Sequence, residues 1–196
     1  MAKKRNLAKA PSTSGQVRII AGKYRGRKLP VLDHQGLRPT TDRVKETVFN
    51  WLMFDIAGAH CLDCYAGSGG LGFEALSRGA EHVSFYELDK GASKQLQTNI
   101  QQLNASNASI RQGDCLQLLA SEGNRFDVVF IDPPFRQGLA EKTIALLQQK
   151  QLLNSKALVY VEVESDKSNL PMPPNWRQLK EKVAGQVTYR LYRVAE

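Results

Sequence analysis

Residues 61–78, CLDCYAGSGGLGFEALSR, constrain the fold of this 196-residue chain more than any other stretch. A short apolar run ends at Asp63, a glycine turn follows, and Leu71-Gly72-Phe73-Glu74-Ala75-Leu76 carries helical periodicity up to Arg78-Gly79. Gly67, Gly69 and Gly72 stand at the G-x-G-x-x-G spacing, which becomes a nucleotide-site candidate between a strand and a helix. Glycines let the main chain turn sharply and let a ligand lie against it, and the helix start offers free N–H donors. Glu87 closes the next short strand about 20 residues downstream, placed to hold ribose hydroxyls.

NAD and S-adenosylmethionine both suit this pattern. Asp63 tilts the choice, because a carboxylate at the strand end repels a pyrophosphate and suits an ammonium and a sulfonium. As a plain turn cap, Asp63 would carry no such meaning.

From residue 59 onward strands and helices alternate. Strands are expected near 60–65, 82–86, 107–112, 126–131 and 157–163, and helices near 70–78, 89–103, 115–121 and 138–149. Such alternation implies right-handed crossovers and a mostly parallel α/β sheet covered on both faces. The chain ends differently, with strands over 176–183 and 186–194 around Ala184-Gly185, an antiparallel hairpin. Earlier, 17–21 and 24–30 read as a β-hairpin about Gly22-Lys23, and Thr41 or Asp42 caps a helix running to Phe54. The domain reading is a basic flexible tail over 1–16, a hairpin extension over 17–40 and an α/β domain over 41–196.

Charge divides the chain. Residues 1–50 hold 12 Lys and Arg against 3 Asp and Glu, and the remainder is nearly neutral with 15 against 16. A nucleic-acid-docking arm gives that asymmetry, with Lys23, Arg25, Arg27 and Lys28 crowded at the hairpin turn; a solubilising tail gives a similar count. No apolar run approaches the roughly 20 residues of a membrane span, and the basic N-terminus lacks the apolar run of a secretory signal, so a cytoplasmic protein is expected. Three cysteines make no disulfide framework, and Cys61 and Cys64 on one strand would face opposite ways. His34, His60, His82 and Cys115 show no ligand spacing, so no metal is expected.

Phe126-Asp127-Val128-Val129-Phe130-Ile131 reads as a buried strand delivering Asp132-Pro133-Pro134-Phe135 to the sheet edge where ligands bind. The prolines stiffen the loop and leave carbonyls as acceptors, Asp132 adds carboxylate oxygens and Phe135 a flat ring. Together they form a cradle for a planar amine.

Asp132-Pro133-Pro134-Phe135 resembles the fourth motif of amino-methyltransferases, and residues 62–72 resemble their first. Residues 18–28 and Arg38-Pro39-Thr40-Thr41-Asp42-Arg43-Val44-Lys45-Glu46 resemble the RsmD family of 16S rRNA guanine-N2 methyltransferases, over roughly residues 17 to 194. The resemblance implies a Rossmann-like methyltransferase sheet of seven strands with the last antiparallel, S-adenosyl-L-methionine as donor, and 16S rRNA in the small subunit or its assembly intermediate as substrate. It implies a cofactor site of Asp63, Tyr65, Ala66, Gly67, Ser68, Gly69, Glu87, Leu88, Gly113, Asp114 and Cys115, with Asp114 on the adenine amine unless it only caps the next helix. Asp132, Pro133, Pro134 and Phe135 would hold the target guanine. The charge pattern makes Lys23, Arg25, Arg27, Lys28, Arg38 and Arg43 the residues expected to dock RNA, and a monomer is the default expectation. The rivals are an adenine-N6 methyltransferase on RNA or DNA, a protein glutamine methyltransferase, an NAD-dependent oxidoreductase, and a non-catalytic rRNA-binding assembly factor.

Overall fold

A computed structural model describes residues 13–32, 41–167 and 169–195. The N-terminal extension pairs β1 (Thr13–Arg18) antiparallel with β2 (Lys28–Leu32). The antiparallel pairing is the one expected, but the strands overlap the expected spans only at residues 17–18 and 28–30. β1 starts inside the stretch read as tail, and residues 19–27 form a turn region in place of two strands. The cause is tertiary. Main-chain N–H groups of Ile20 and Ala21 donate to the Glu74 carboxylate at 2.8 and 3.1 Å, and that of Tyr24 donates to Ser77 Oγ at 2.9 Å. Gly22 (φ +81°) and Gly26 (φ +80°) make the sharp turns between them. The remainder of the tail and residues 33–40, including Arg38, lie outside the described residues.

Helix α1 (Asp42–Trp51) is capped by the Thr41 side chain at Val44 and ends before the expected Phe54. Buried Lys45 reaches from it to the Arg18 carbonyl at 2.6 Å, tying β1 to α1. The alternating part follows: β3 (His60–Asp63), α2 (Gly70–Ser77), β4 (His82–Glu87), α3 (Lys90–Leu103), β5 (Ala108–Gln112), α4 (Cys115–Ala120), β6 (Phe126–Ile131), α5 (Leu139–Gln149), β7 (Leu153–Glu164), β8 (Trp176–Ala184) and β9 (Val187–Val194). Only β7 departs much from expectation, starting four residues early because its polar first residues carry no alternation.

Among the described residues, seven strands make one sheet in the order β5-β4-β3-β6-β7-β9-β8. The first five run parallel, while β9 enters antiparallel between β7 and β8. Alternate residues feed two cores. Cys61, Val128, Phe130 and Tyr160 face α1, α2, α3 and the extension. Leu62, Val129, Ile131 and Val159 face α4 and α5. Cys61 and Cys64 fall in different cores, as the strand geometry requires. The chain leaves β3 towards β4 on one side and later returns to β6 on the other. The carboxyl ends of β3 and β6 therefore flank the switch point where such sheets bind ligands.

Candidate active site

At that edge lies a cleft of about 1250 Å³. The glycine turn forms one wall. Gly67 and Gly69 have φ of +51° and +77°, in the left-handed region that favours glycine. A Cβ at Gly72 would stand 2.1 Å from the Phe85 ring, so the third glycine of the motif lets α2 lie directly on β4. Tyr65, Ala66, Gly67 and Ser68 line the cleft, whereas Gly69 is the N-cap of α2 and is not part of the lining.

Asp63 forms the floor. It is 2% exposed and accepts the Gly72 N–H at 3.1 Å, so it both caps the first turn of α2 and lines the cleft. Burial pushes its pKa up to about 7, and the Glu87 charge adds to this against main-chain donors at Gly72 and Tyr65. Among the described residues no cation pairs with Asp63. Glu87 accepts from the main chain at Gly67 and Asp89, each at 2.7 Å, locking the glycine turn to the end of β4. Leu88, Gly113, Asp114 and Cys115 continue the wall, and Asp114 caps α4 by accepting from the Gln117 N–H at 3.0 Å. The Tyr65 hydroxyl meets Thr143 Oγ1 at 2.6 Å, which joins the turn to α5.

The loop after β6, next to the end of β3, supplies a further part of the lining. Asp132 and buried Pro133 begin it, Pro134 and the 41% exposed Phe135 reach outward, and all four line the cleft. Arg136 takes φ +64° and donates its N–H to Glu164, which pins the loop to the end of β7. Thus the expected cofactor residues, apart from Gly69, and the four expected amine-binding residues meet in one cleft.

The basic residues do not. Lys23, Arg25, Arg27 and Lys28 are exposed on the turn held to the C-terminal end of α2, one helix length, about 12 Å, from its glycine end. Arg27 donates to the Gln102 carbonyl at 3.1 Å, and Arg43 is exposed on α1. The other end of the extension, at Gln16, Val31 and Leu32, reaches the cleft instead.

Sequence reasoning missed Glu162 and Tyr189, which line the cleft beside Asp132. The Tyr160 hydroxyl donates to Glu162 Oε2 at 2.7 Å, and burial pushes the Glu162 carboxyl up despite that bond. An acid within the apolar run Val159-Tyr160-Val161-Glu162-Val163 was the available signal. His60 and His82 pair across β3 and β4 at the other sheet edge, their ring centroids 6.4 Å apart. Among the described residues no three His, Cys, Asp or Glu side chains are grouped to hold a metal ion.

The family model described as conserved hypothetical protein 95 matches residues 17–193. The chain is 54% identical over 181 residues to the ribosomal RNA small subunit methyltransferase D of Escherichia coli strain K12, across 92% of this chain and 91% of that one. The Haemophilus influenzae protein of the same name is 55% identical over 186 residues, across 93% and 96% of the two chains. A solved Escherichia coli structure is similar with a TM-score of 0.87 at 50% identity, across 92% of this chain and 99% of that chain. An RNA methyltransferase from Salinibacter ruber, solved with S-adenosyl-L-homocysteine, shares the fold with a TM-score of 0.61 at 18% identity, across 81% and 95%. This chain belongs to the family of ribosomal RNA small subunit methyltransferase D, the RsmD family.

Proposed function

We propose that this protein transfers a methyl group from S-adenosylmethionine to the exocyclic N2 amine of a guanine in 16S rRNA, within the small subunit or its assembly intermediate. One observation carries the reading: the glycine turn with its two acids and the Asp132–Phe135 loop line a single cleft, at the ends of the neighbouring strands β3, β4 and β6. A small-molecule pocket occupies roughly 300–1,000 Å³, so a cleft of about 1250 Å³ has room for a cofactor and a base together.

The residues fit that cofactor. Asp63, buried with no cation partner among the described residues, suits the ammonium and sulfonium of the methionine part; Glu87 suits the ribose; Asp114 keeps an oxygen for the adenine amine while the other caps α4. When bound, S-adenosylmethionine supplies an electrophilic methyl group on a positively charged sulfur. The chain's work is on the other reactant. A guanine amine lone pair is delocalised into its ring and attacks poorly. Asp132 and the Pro133 carbonyl accept its N–H groups, draw the nitrogen towards tetrahedral geometry and stabilise the positive charge that builds there. Phe135 stacks on the ring, and the stiff loop holds the amine in line with the methyl group. Asp132 need not be a strong base, because the amine becomes acidic only as the methyl group arrives.

Reaching such an amine requires a flipped or looped-out base. The basic turn then serves as a separate phosphate-docking surface, away from the cleft, on a monomer working in the cytoplasm where rRNA is made.

The test is transfer from methyl-labelled S-adenosylmethionine to small subunits and rRNA lacking the modification, followed by digestion to nucleosides. Label in N2-methylguanosine is the expected result. Label in N6-methyladenosine would keep the cradle and overturn the base, and no label on either substrate would overturn the substrate class.

A further inference from the structure

The amine cradle leaves Glu162 unexplained. Ile131 of β6 pairs with Val161 of β7, so Asp132 leaves its strand beside Glu162, and Glu162 pairs in turn with Tyr189 of β9. Phe130 and Tyr160, two residues earlier on each strand, pair with each other and share the face that carries α1 and α2. The Tyr160 hydroxyl donates to Glu162 Oε2, and it feels the Asp132 charge as well. Two half-buried carboxylates therefore stand side by side on the cleft wall.

Holding a tyrosine hydroxyl does not require a charge, since a glutamine oxygen accepts as well. A second carboxylate next to Asp132 raises the local electrostatic cost, because like charges in a shared site disfavour each other. That cost is reversed by a ligand that presents two adjacent donors to the pair. The Watson–Crick edge of guanine is such a ligand: N1–H and the N2 amine lie next to each other, and both donate. Adenine presents an N1 lone pair beside its amine, which a carboxylate repels.

We propose that Glu162 reads the base as guanine, its Oε1 accepting from N1–H while Asp132 and the Pro133 carbonyl hold the N2 amine. Tyr160 positions Glu162 by occupying Oε2, which leaves Oε1 towards the cleft. This rests on the proposed amine transfer at the Asp132–Phe135 loop. It assigns discrimination between guanine and adenine to β7, one strand away from the cradle, which by itself suits any exocyclic amine.

The experiment uses small subunits reconstituted with 16S rRNA that carries guanine or 2-aminopurine at the position the wild-type protein labels. 2-Aminopurine keeps the amine, replaces N1–H by a lone pair and lacks O6, the last change being met equally by the wild-type protein and the Glu162→Gln variant. The wild-type protein is expected to favour guanine by about 100-fold or more, the penalty for setting a lone pair against a buried acceptor. Glu162→Gln keeps the side-chain shape and a partner for Tyr160, and its amide N–H can face the lone pair. It is expected to slow guanine transfer and to narrow the preference to within about tenfold. A variant that slows both substrates by one factor has lost structure only and overturns the inference. So does a wild-type preference near one, a measurement that stands even where Glu162→Gln does not fold. Absence of N2-methylguanosine from natural subunits would instead overturn the amine-transfer reading itself.

Discussion

Both ends of α2 involve a buried carboxylate, and the two are used differently. At the C-terminal end Glu74 is fully buried and accepts from Ile20, Ala21 and Arg78, the last at 2.7 Å. At the glycine end Asp63 is almost as deeply buried, accepts from main-chain N–H groups and has no cation partner among the described residues. Glu74 is complete as it stands and serves as the anchor of the extension. Asp63 is poised with its pKa near 7, an acid whose charged form would be favoured by an arriving cation. A buried acid paired with a guanidinium serves as architecture; one held only by main-chain donors at the ligand-binding sheet edge is the contact we propose for the cofactor.

The contrast can be broken most sharply at Asp63. Asp63→Asn is expected to weaken S-adenosylmethionine binding by about 100-fold or more, read by calorimetry, because it removes a deeply buried acid proposed to meet the cationic groups. An unchanged affinity would make Asp63 a helix cap and nothing else. Next in size is Glu74→Ala, which strands two main-chain donors and a guanidinium. It is expected to cost about 3–5 kcal/mol in urea unfolding. Gly22→Ala tests the same anchor through the backbone: the added Cβ would stand 1.9 Å from the Ser77 carbonyl oxygen at a φ of +81°. A loss of about 1–3 kcal/mol is expected, with cofactor affinity little changed.

The pH dependence sharpens the distinction further. Asp63 is raised from about 3.8 to about 7, so in that window the folded protein holds a proton that the unfolded chain has released. Stability from this group therefore falls as pH rises through the window. Cofactor affinity moves the other way, rising by up to about tenfold per pH unit towards 7 and levelling above it, with proton release on binding. Asp63→Asn should flatten that profile. The smallest effect belongs to the basic turn. Replacing Lys23, Arg25, Arg27 and Lys28 by Ala should reduce the salt slope of RNA binding by roughly 0.7–0.9 per lost phosphate contact and spare cofactor affinity. An unchanged slope would remove the turn from the RNA interface.

The α/β part was legible in the chain because its signals are local. The run at 126–131 gave β6 to the residue, and the glycine spacing gave the turn before α2. The positions of the proposed site acids were legible for the same reason, since Asp63 and Glu87 end strands and Asp132 follows one. The extension was legible as a hairpin, but its strand bounds were misplaced because residues 19–27 follow Glu74 and Ser77, about 50 positions away, and not their own alternation. Glu162 was missed on similar grounds, as its meaning depends on a strand register that places it beside Asp132. Buried Lys45 and Glu74 carry no pattern that separates them from surface charges on a helix.

The central claim is that one cleft divides its work, with the cofactor on the β3 and β4 side and the amine on the β6 side. Asp132→Ala tests it most directly, with S-adenosylmethionine affinity measured by calorimetry and transfer to small subunits measured on the same preparation. Turnover is expected to fall by at least about 10³-fold, with affinity kept within a few-fold. An Asp132→Ala protein that still turns over, or one that loses turnover only because it no longer binds the cofactor, would contradict it.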